Sequence, residues 1–179
     1  MKQPSAQSPL SAAELLYADL ESEFASTRRV LERFPEQHAD WRPHEKSRTL
    51  AELATHVADI PNRAVVILET DGMDIAMRTP MASLLTVAAL LDHFAASSAK
   101  ARALVAGADL EMLAEQWSVR AGPRVLLAQP RRVALRIVVM SHMVHHRAQL
   151  GVYYRLLGVP VPGVYGPSAD DVAASPGSS

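Results

Sequence analysis

The sequence contains no cysteine, few aromatic residues and no long hydrophobic run. The absence of cysteine excludes disulfide bonds, thiolate metal ligands and catalysis by a cysteine nucleophile. Any bound metal ion must therefore be held by nitrogen and oxygen atoms. No stretch approaches the ~20 apolar residues of a membrane-spanning helix, and the first ten residues lack the apolar centre of a signal peptide. We therefore expect a cytoplasmic protein with no membrane partner.

An excess of charge is also missing, because the formal net charge is only -1 over 179 residues. Nucleic-acid-binding domains usually carry a basic face or stripe, so we expect no nucleic-acid partner. The chain is rich in alanine and leucine, which favours helices, and it is long enough for one packed domain. We expect residues 1–179 to form that single domain, with a flexible tail of small and polar residues from about residue 168.

Helix signals divide the chain into four amphipathic segments. Two of them open with the capping-box pattern, at Ser11 and at Thr49. The other two begin at Pro80 and Pro130, because proline fits the first turn of a helix. Pro61 should kink the second helix. The pattern predicts an all-α four-helix bundle with helices over about residues 11–34, 49–69, 79–106 and 129–158, and it leaves residues 117–120 and 124–127 as a candidate short β-hairpin between the third and fourth helices.

The candidate functional residues are three histidines on apolar helix faces. His142 and His146 are four residues apart in the fourth helix, so their side chains share one face of it. His56 lies on the apolar stripe of the second helix. Three imidazoles can bind one metal ion at about 2.0–2.1 Å from each nitrogen and leave a coordination position open for water or substrate. Asp59 and Gln149 are placed to hold the ligand rings by hydrogen bonds.

The alternative interpretation is that these histidines are neutral core side chains bonded to a carbonyl or hydroxyl group. Two inward histidines at this spacing weaken that alternative, because each has two ring nitrogens that need partners. His93, among apolar residues of the third helix, is a core histidine or a distant fourth ligand, and His38 and His44 are expected to be solvated. Trp41 and Trp117 could wall a pocket or cap the bundle.

Three segments resemble a known family. The run HMVHHRAQL at 142–150, the Val-Pro-rich stretch after it, and WRPHEKSRTLAELATHVADIP at 41–61 resemble the DinB-like, or YfiT-like, family of metalloenzymes. The family pattern is H-x-x-x-H-R-G-Q, and Ala148 stands here in place of its glycine. Arg147 matches the pattern but points away from the ligand face, so we expect it to form a salt bridge or an interface contact.

The resemblance implies a bundle connected up-down-down-up, usually as a homodimer. It also implies that His56, His142 and His146 bind a divalent ion such as nickel, zinc or iron. Relatives of this broad fold include S-transferases and an isomerase that use a low-molecular-weight thiol, although a shared fold does not transfer a function.

The sequence is compatible with three functions. The first is a metal-dependent enzyme that acts on a small molecule, by thiol transfer or by hydrolysis, with water or substrate sulfur at the ion as the reactive group. The second is a non-catalytic metal-binding stress-response protein with the same ligands. The third is an interaction module in which the histidines belong to the core.

Overall fold

The structure, a computed structural model, describes residues 12–79 and 81–173 of the chain. It is mostly helical, as expected, with a small three-stranded sheet that contains the predicted hairpin and one strand that was not predicted. The helices are α1 (Ala12–Leu31), α2 (Leu50–Asp59), α3 (Asn62–Glu69), α4 (Val87–Gly107), α5 (Leu110–Ala114), α6 (Arg131–Ala134), α7 (His142–Leu156) and α8 (Ala169–Ala173). The strands are β1 (Gly72–Asp74), β2 (Gln116–Ala121) and β3 (Arg124–Pro130), and a π-helical segment (Leu135–Ser141) joins α6 to α7.

The second predicted helix is present but divided. Its capping box is confirmed, because the Thr49 hydroxyl accepts a hydrogen bond from the Glu52 amide at 3.1 Å and the Glu52 carboxylate accepts one from the Thr49 amide at 2.7 Å. Pro61 has no N–H for the preceding turn, so α2 ends at Asp59 and α3 begins at Asn62. The capping box predicted at Ser11 lies outside the described residues.

The predicted start of the third helix was wrong. Helix α4 begins only at Val87, because the Thr86 hydroxyl accepts the Ala89 amide at 3.2 Å and caps the helix there. Residues 81–86 are irregular, and the predicted start at Pro80 itself falls outside the described residues. The Leu84 amide donates to the Thr55 hydroxyl of α2 at 2.7 Å. This bond ties the irregular segment to the helix that carries His56.

The predicted hairpin is confirmed and is longer than expected. Strands β2 and β3 are antiparallel, and Gly122 in the turn between them has a φ of +57°, a conformation that glycine adopts without strain. Strand β1 adds to β2 in parallel and was not predicted. The buried Arg131 guanidinium fixes the sheet to α3, because it donates to the carbonyl oxygens of Ile67 and Thr70.

Helix α7 ends as the sequence predicted. Gly158 has a φ of +71°, which stops the helix without the penalty that a side chain would bring. Helix α8 lies within the segment predicted to be a flexible tail, and its Asp170 accepts the Val161 amide at 2.8 Å and pairs with Arg155 at 2.7 Å.

The long helices converge on one apolar core. Helices α1 and α2 each contact both α4 and α7, and α3 contacts α4. This places His56 of α2 against the histidines of α7. The up-down-down-up connection of a four-helix bundle and the homodimer stay predictions. Within the described ranges, no helix has both the length and the apolar composition needed to cross a membrane.

Candidate metal centre

The structure brings together the three histidines that the sequence singled out. His56 Nε2 and His142 Nε2 are 3.0 Å apart. The His146 ring centroid is 4.6 Å from the centroid of each of the other two rings. One ring nitrogen from each histidine can be chosen so that the three atoms lie within 4.8 Å of one another.

This arrangement fits a divalent metal ion. Two nitrogens that are each about 2.0–2.1 Å from one tetrahedral ion lie roughly 3.3 Å apart. The His56–His142 separation is already close to that value, and the His146 ring nitrogen lies within 4.8 Å of the other two ligand atoms. Without an ion, the facing Nε2 atoms of His56 and His142 can share only one hydrogen, so they compete for a single hydrogen bond.

The three histidine rings are buried to different extents, and not all of them lie in the bundle core as expected. His56 is 9% exposed on the buried face of α2, as its apolar stripe predicted. His142 and His146 are only half-buried, because the fully buried face of α7 is instead formed by Met143, Arg147, Leu150 and Tyr154. The histidines therefore line the wall of an open cavity and are not enclosed in the core.

Gln149 holds the His146 ring, as the sequence suggested. The Gln149 side-chain oxygen accepts a hydrogen bond from His146 Nδ1 at 2.7 Å. The same amide donates to Nε2 of the exposed His145 at 3.2 Å. With its Nδ1 protonated, His146 keeps the Nε2 lone pair free for a ligand bond.

Asp59 has a different role from the one proposed for it. Its carboxylate accepts hydrogen bonds from Asn62 at 2.8 Å and from His93 Nε2 at 3.1 Å, and no bond joins it to His56. His93, the distant fourth-ligand candidate, is therefore occupied by Asp59 and does not belong to the three-histidine cluster of the described residues.

All three imidazoles are electrically neutral near pH 7. Burial, with the nearby cations Arg48 and Arg63, lowers the pKa of His56 to about 2. Burial and then the charge of Arg63 lower the pKa of His142 to about 3. Burial also lowers the pKa of His146, against the opposing effect of its bond to Gln149. A metal ion could therefore bind at neutral pH without displacing protons from these rings.

The lowered pKa values predict that the metal-free protein is sensitive to acid. The unfolded chain protonates these histidines below their ordinary pKa of 6.5, whereas the folded protein keeps them neutral. The unfolded state then binds more protons, so the free energy of unfolding falls as the pH drops below 6.5. In His142→Phe the unfolded state binds about one proton fewer relative to the folded state. Urea unfolding of the metal-free variant should therefore show a smaller decrease in the free energy of unfolding as the pH drops below 6.5. Equal slopes in the two proteins contradict this assignment.

Sequence reasoning missed the positive charge around the cluster. A cavity of about 560 Å³ is lined by the three histidines and by side chains from α2, α3 and residues 75–83. Three arginines, Arg48, Arg63 and Arg78, are part of its wall. Their spacing gives no dependable signal in the sequence, because Pro61 breaks the helix between His56 and Arg63, and Arg48 and Arg78 lie outside it.

The remaining candidates do not contribute to this cavity. Trp41 packs edge-to-face on Tyr153 with ring centroids 5.5 Å apart, and Trp117 is buried in the core. Arg147 forms the predicted salt bridge, with Glu23 at 2.7 Å, but it is buried and does not lie at the surface.

Comparisons with known proteins agree on one family. A family model described as the DinB family matches residues 4–177. A search of the curated proteins found no match. The chain is similar in structure to a DinB-like protein (YjoA) from Bacillus subtilis, with a TM-score of 0.64 and 20% sequence identity over 86% of this chain and 99% of that one. At that identity the likeness bears on the fold alone.

Proposed function

The chain belongs to the DinB family, and from that premise we propose that it is a metal-dependent enzyme that acts on a small molecule. The observation that carries the proposal is the convergence of His56, His142 and His146 at the wall of an open cavity. A three-histidine set leaves at least one coordination position for a reactant, which is typical of catalytic sites. Structural zinc sites, in contrast, are closed by four protein ligands.

The protein residues have separate tasks in this proposal. His56, His142 and His146 would hold a divalent ion, with nickel, zinc and iron as the candidates. When bound, such an ion lowers the pKa of a thiol or water molecule that shares the site. Gln149 keeps the His146 ring oriented, and the cavity admits a reactant of small-molecule size.

Thiol transfer is the reaction class that we propose first. The thiol proton leaves to solvent, the sulfur forms a bond to an electrophilic carbon, and the leaving group departs with the bonding electron pair. The chain has no cysteine, so the sulfur must belong to a separate low-molecular-weight thiol. Hydrolysis, with water in place of the thiol, is the second reaction class.

Metal removal tests the proposal directly. We expect the full chain, purified without chelators, to contain about one divalent ion per molecule by elemental analysis, because the cluster offers one site. We expect it to accelerate thioether formation between a thiol, such as glutathione or cysteine, and 1-chloro-2,4-dinitrobenzene. Chelation should abolish this turnover, and re-addition of the same ion should restore it.

Two results separate the alternatives. Bound metal without turnover of thiols or of hydrolysable esters supports the non-catalytic metal-binding protein and overturns the enzyme. A protein that contains no metal and takes none up on titration overturns both.

A further inference from the structure

Positive charge is concentrated where a reactant would enter the histidine site. Arg48 precedes α2, Arg63 lies on α3 and Arg78 follows β1, so three separate segments bring guanidinium groups to one cavity. Two carboxylates, Glu52 and Asp59, also line it. The cavity therefore keeps one net positive charge before any metal ion is added.

Both carboxylates are already engaged. Glu52 accepts the Thr49 amide at 2.7 Å as part of the capping box. Asp59 accepts hydrogen bonds from Asn62 and His93, and it lies 4.0 Å from Arg78. Asp59 attracts the Arg63 guanidinium electrostatically, but within the described residues no carboxylate forms an ion pair or hydrogen bond with Arg63 or Arg48.

Arg63 is the least satisfied of the three arginines. Its Nε is buried and has no hydrogen-bond partner, and neither Arg63 nor Arg48 forms a side-chain hydrogen bond or ion pair within the part of the chain that the structure describes. Burial, followed by repulsion from Arg78, lowers the pKa of Arg63 to about 10. Leaving a charged donor buried and unpaired is unfavourable, so an oxyanion that accepts from this guanidinium would be stabilised by it.

We propose that the cavity binds an anionic small molecule, whose carboxylate or phosphate group is held by Arg63 with help from Arg48 and Arg78. The planar guanidinium can donate two parallel hydrogen bonds to either group. The identification of this anion as the substrate rests on the proposed function above. The histidine cluster lines the same cavity, so the reacting part of the molecule would lie beside the metal ligands.

Calorimetric titration of the metal-free full chain tests the inference. The probes are succinate and inorganic phosphate, and the one that binds more tightly identifies the group. Arg63→Met should weaken binding of that probe by roughly ten- to a hundred-fold, the effect expected for loss of a charge-assisted hydrogen bond. Arg42→Met is the matched control, because it removes the same charge from an exposed residue that does not line the cavity, and it should leave the affinity unchanged.

Stability provides a second readout. In the absence of an anion, Arg63→Met should unfold at the same or a higher urea concentration than wild type, because methionine fills similar space and brings no unpaired donor. A less stable Arg63→Met protein would identify Arg63 as a structural residue and overturn the inference. Arg48→Met, at an exposed position, repeats the affinity test independently of any change in stability at Arg63, and it should also weaken binding of the same probe.

The inference and the proposed function can fail independently. No binding of either probe, or equal binding by wild type and Arg63→Met, overturns the inference whether or not the protein holds a metal. Arg63-dependent binding by a protein that takes up no divalent ion keeps the anion site and overturns the metalloenzyme.

Discussion

Replacement of His142 by alanine is expected to abolish metal binding while the protein stays folded. The change removes the Nε2 atom that faces His56 Nε2 at 3.0 Å and leaves two ligands. Loss of a residue that merely orients a ligand already weakens metal affinity by about 10–100-fold, so loss of a ligand should cost at least about 100-fold. At an ion concentration 100 times its dissociation constant, wild type should gain about 2.7 kcal/mol in free energy of unfolding, and a variant that binds 100-fold more weakly should gain no more than about 0.4 kcal/mol.

The metal-free form of the variant provides an internal check. His142 is half-buried at the wall of an open cavity, so its truncation leaves space that water can fill. Urea unfolding without metal should therefore differ little from wild type. His38→Ala is the matched control, because it deletes an imidazole outside the cluster and should preserve metal stoichiometry. Equal metal-dependent stabilisation in His142→Ala and wild type rules out His142 as a ligand.

The histidine cluster could be predicted because its information is local. The four-residue spacing of His142 and His146 fixes their common face on any helix. His56 could be placed inward from the apolar stripe of its own helix. The spacing could not show how deeply the histidines are buried, and His142 and His146 prove to be only half-buried. The face of α7 that is fully buried begins at Met143, one residue after His142, and it includes Arg147. An arginine at such a position is usually interpreted from sequence as a surface residue.

The arginines of the cavity were missed because their proximity is not local. Arg48, Arg63 and Arg78 are separated by fifteen residues from one to the next, and they lie before α2, on α3 and after β1. Only the fold brings them together, through the break at Pro61 and the return of residues 75–83 toward α2. Charged residues in such positions are usually solvated, so the sequence alone does not indicate that these three converge.

The fold, too, was predictable where it depends on adjacent residues and was missed where it depends on contacts between distant ones. Caps such as Thr49 and Gly158 act on adjacent residues, so they marked helix ends correctly, whereas Pro61, expected only to kink the second helix, divides it into two. Strand β1 was missed because it is only three residues long and pairs with β2, 46 positions along the chain. The π-helical turns over Leu135–Ser141 were missed too, because they depend on how α6 and α7 are held by their neighbours.

Arg147 of α7 lies at the centre of a buried network of hydrogen bonds and ion pairs. Its guanidinium donates to the Glu23 carbonyl and the Thr27 hydroxyl of α1, each at 3.0 Å, and pairs with the Glu23 carboxylate at 2.7 Å. It also donates to the Tyr165 hydroxyl at 2.6 Å, which in turn donates to Glu23 at 2.9 Å. One side chain thus joins α7, α1 and the segment after α7, and only 3% of the residue is exposed.

We therefore expect Arg147→Ala to lower the free energy of unfolding of the metal-free protein by about 3–5 kcal/mol, the cost of removing one partner of a buried ion pair. Glu23 keeps some contact with solvent and with Tyr165, which favours the lower end of that range. Arg28→Ala is the control, because its pair with Glu32 is exposed on both sides and should contribute no more than about 0.5 kcal/mol. Urea unfolding of the three proteins measures the difference. Similar losses in the two variants would show that Arg147 does not hold α7 against α1, and would assign that role to the apolar residues around it.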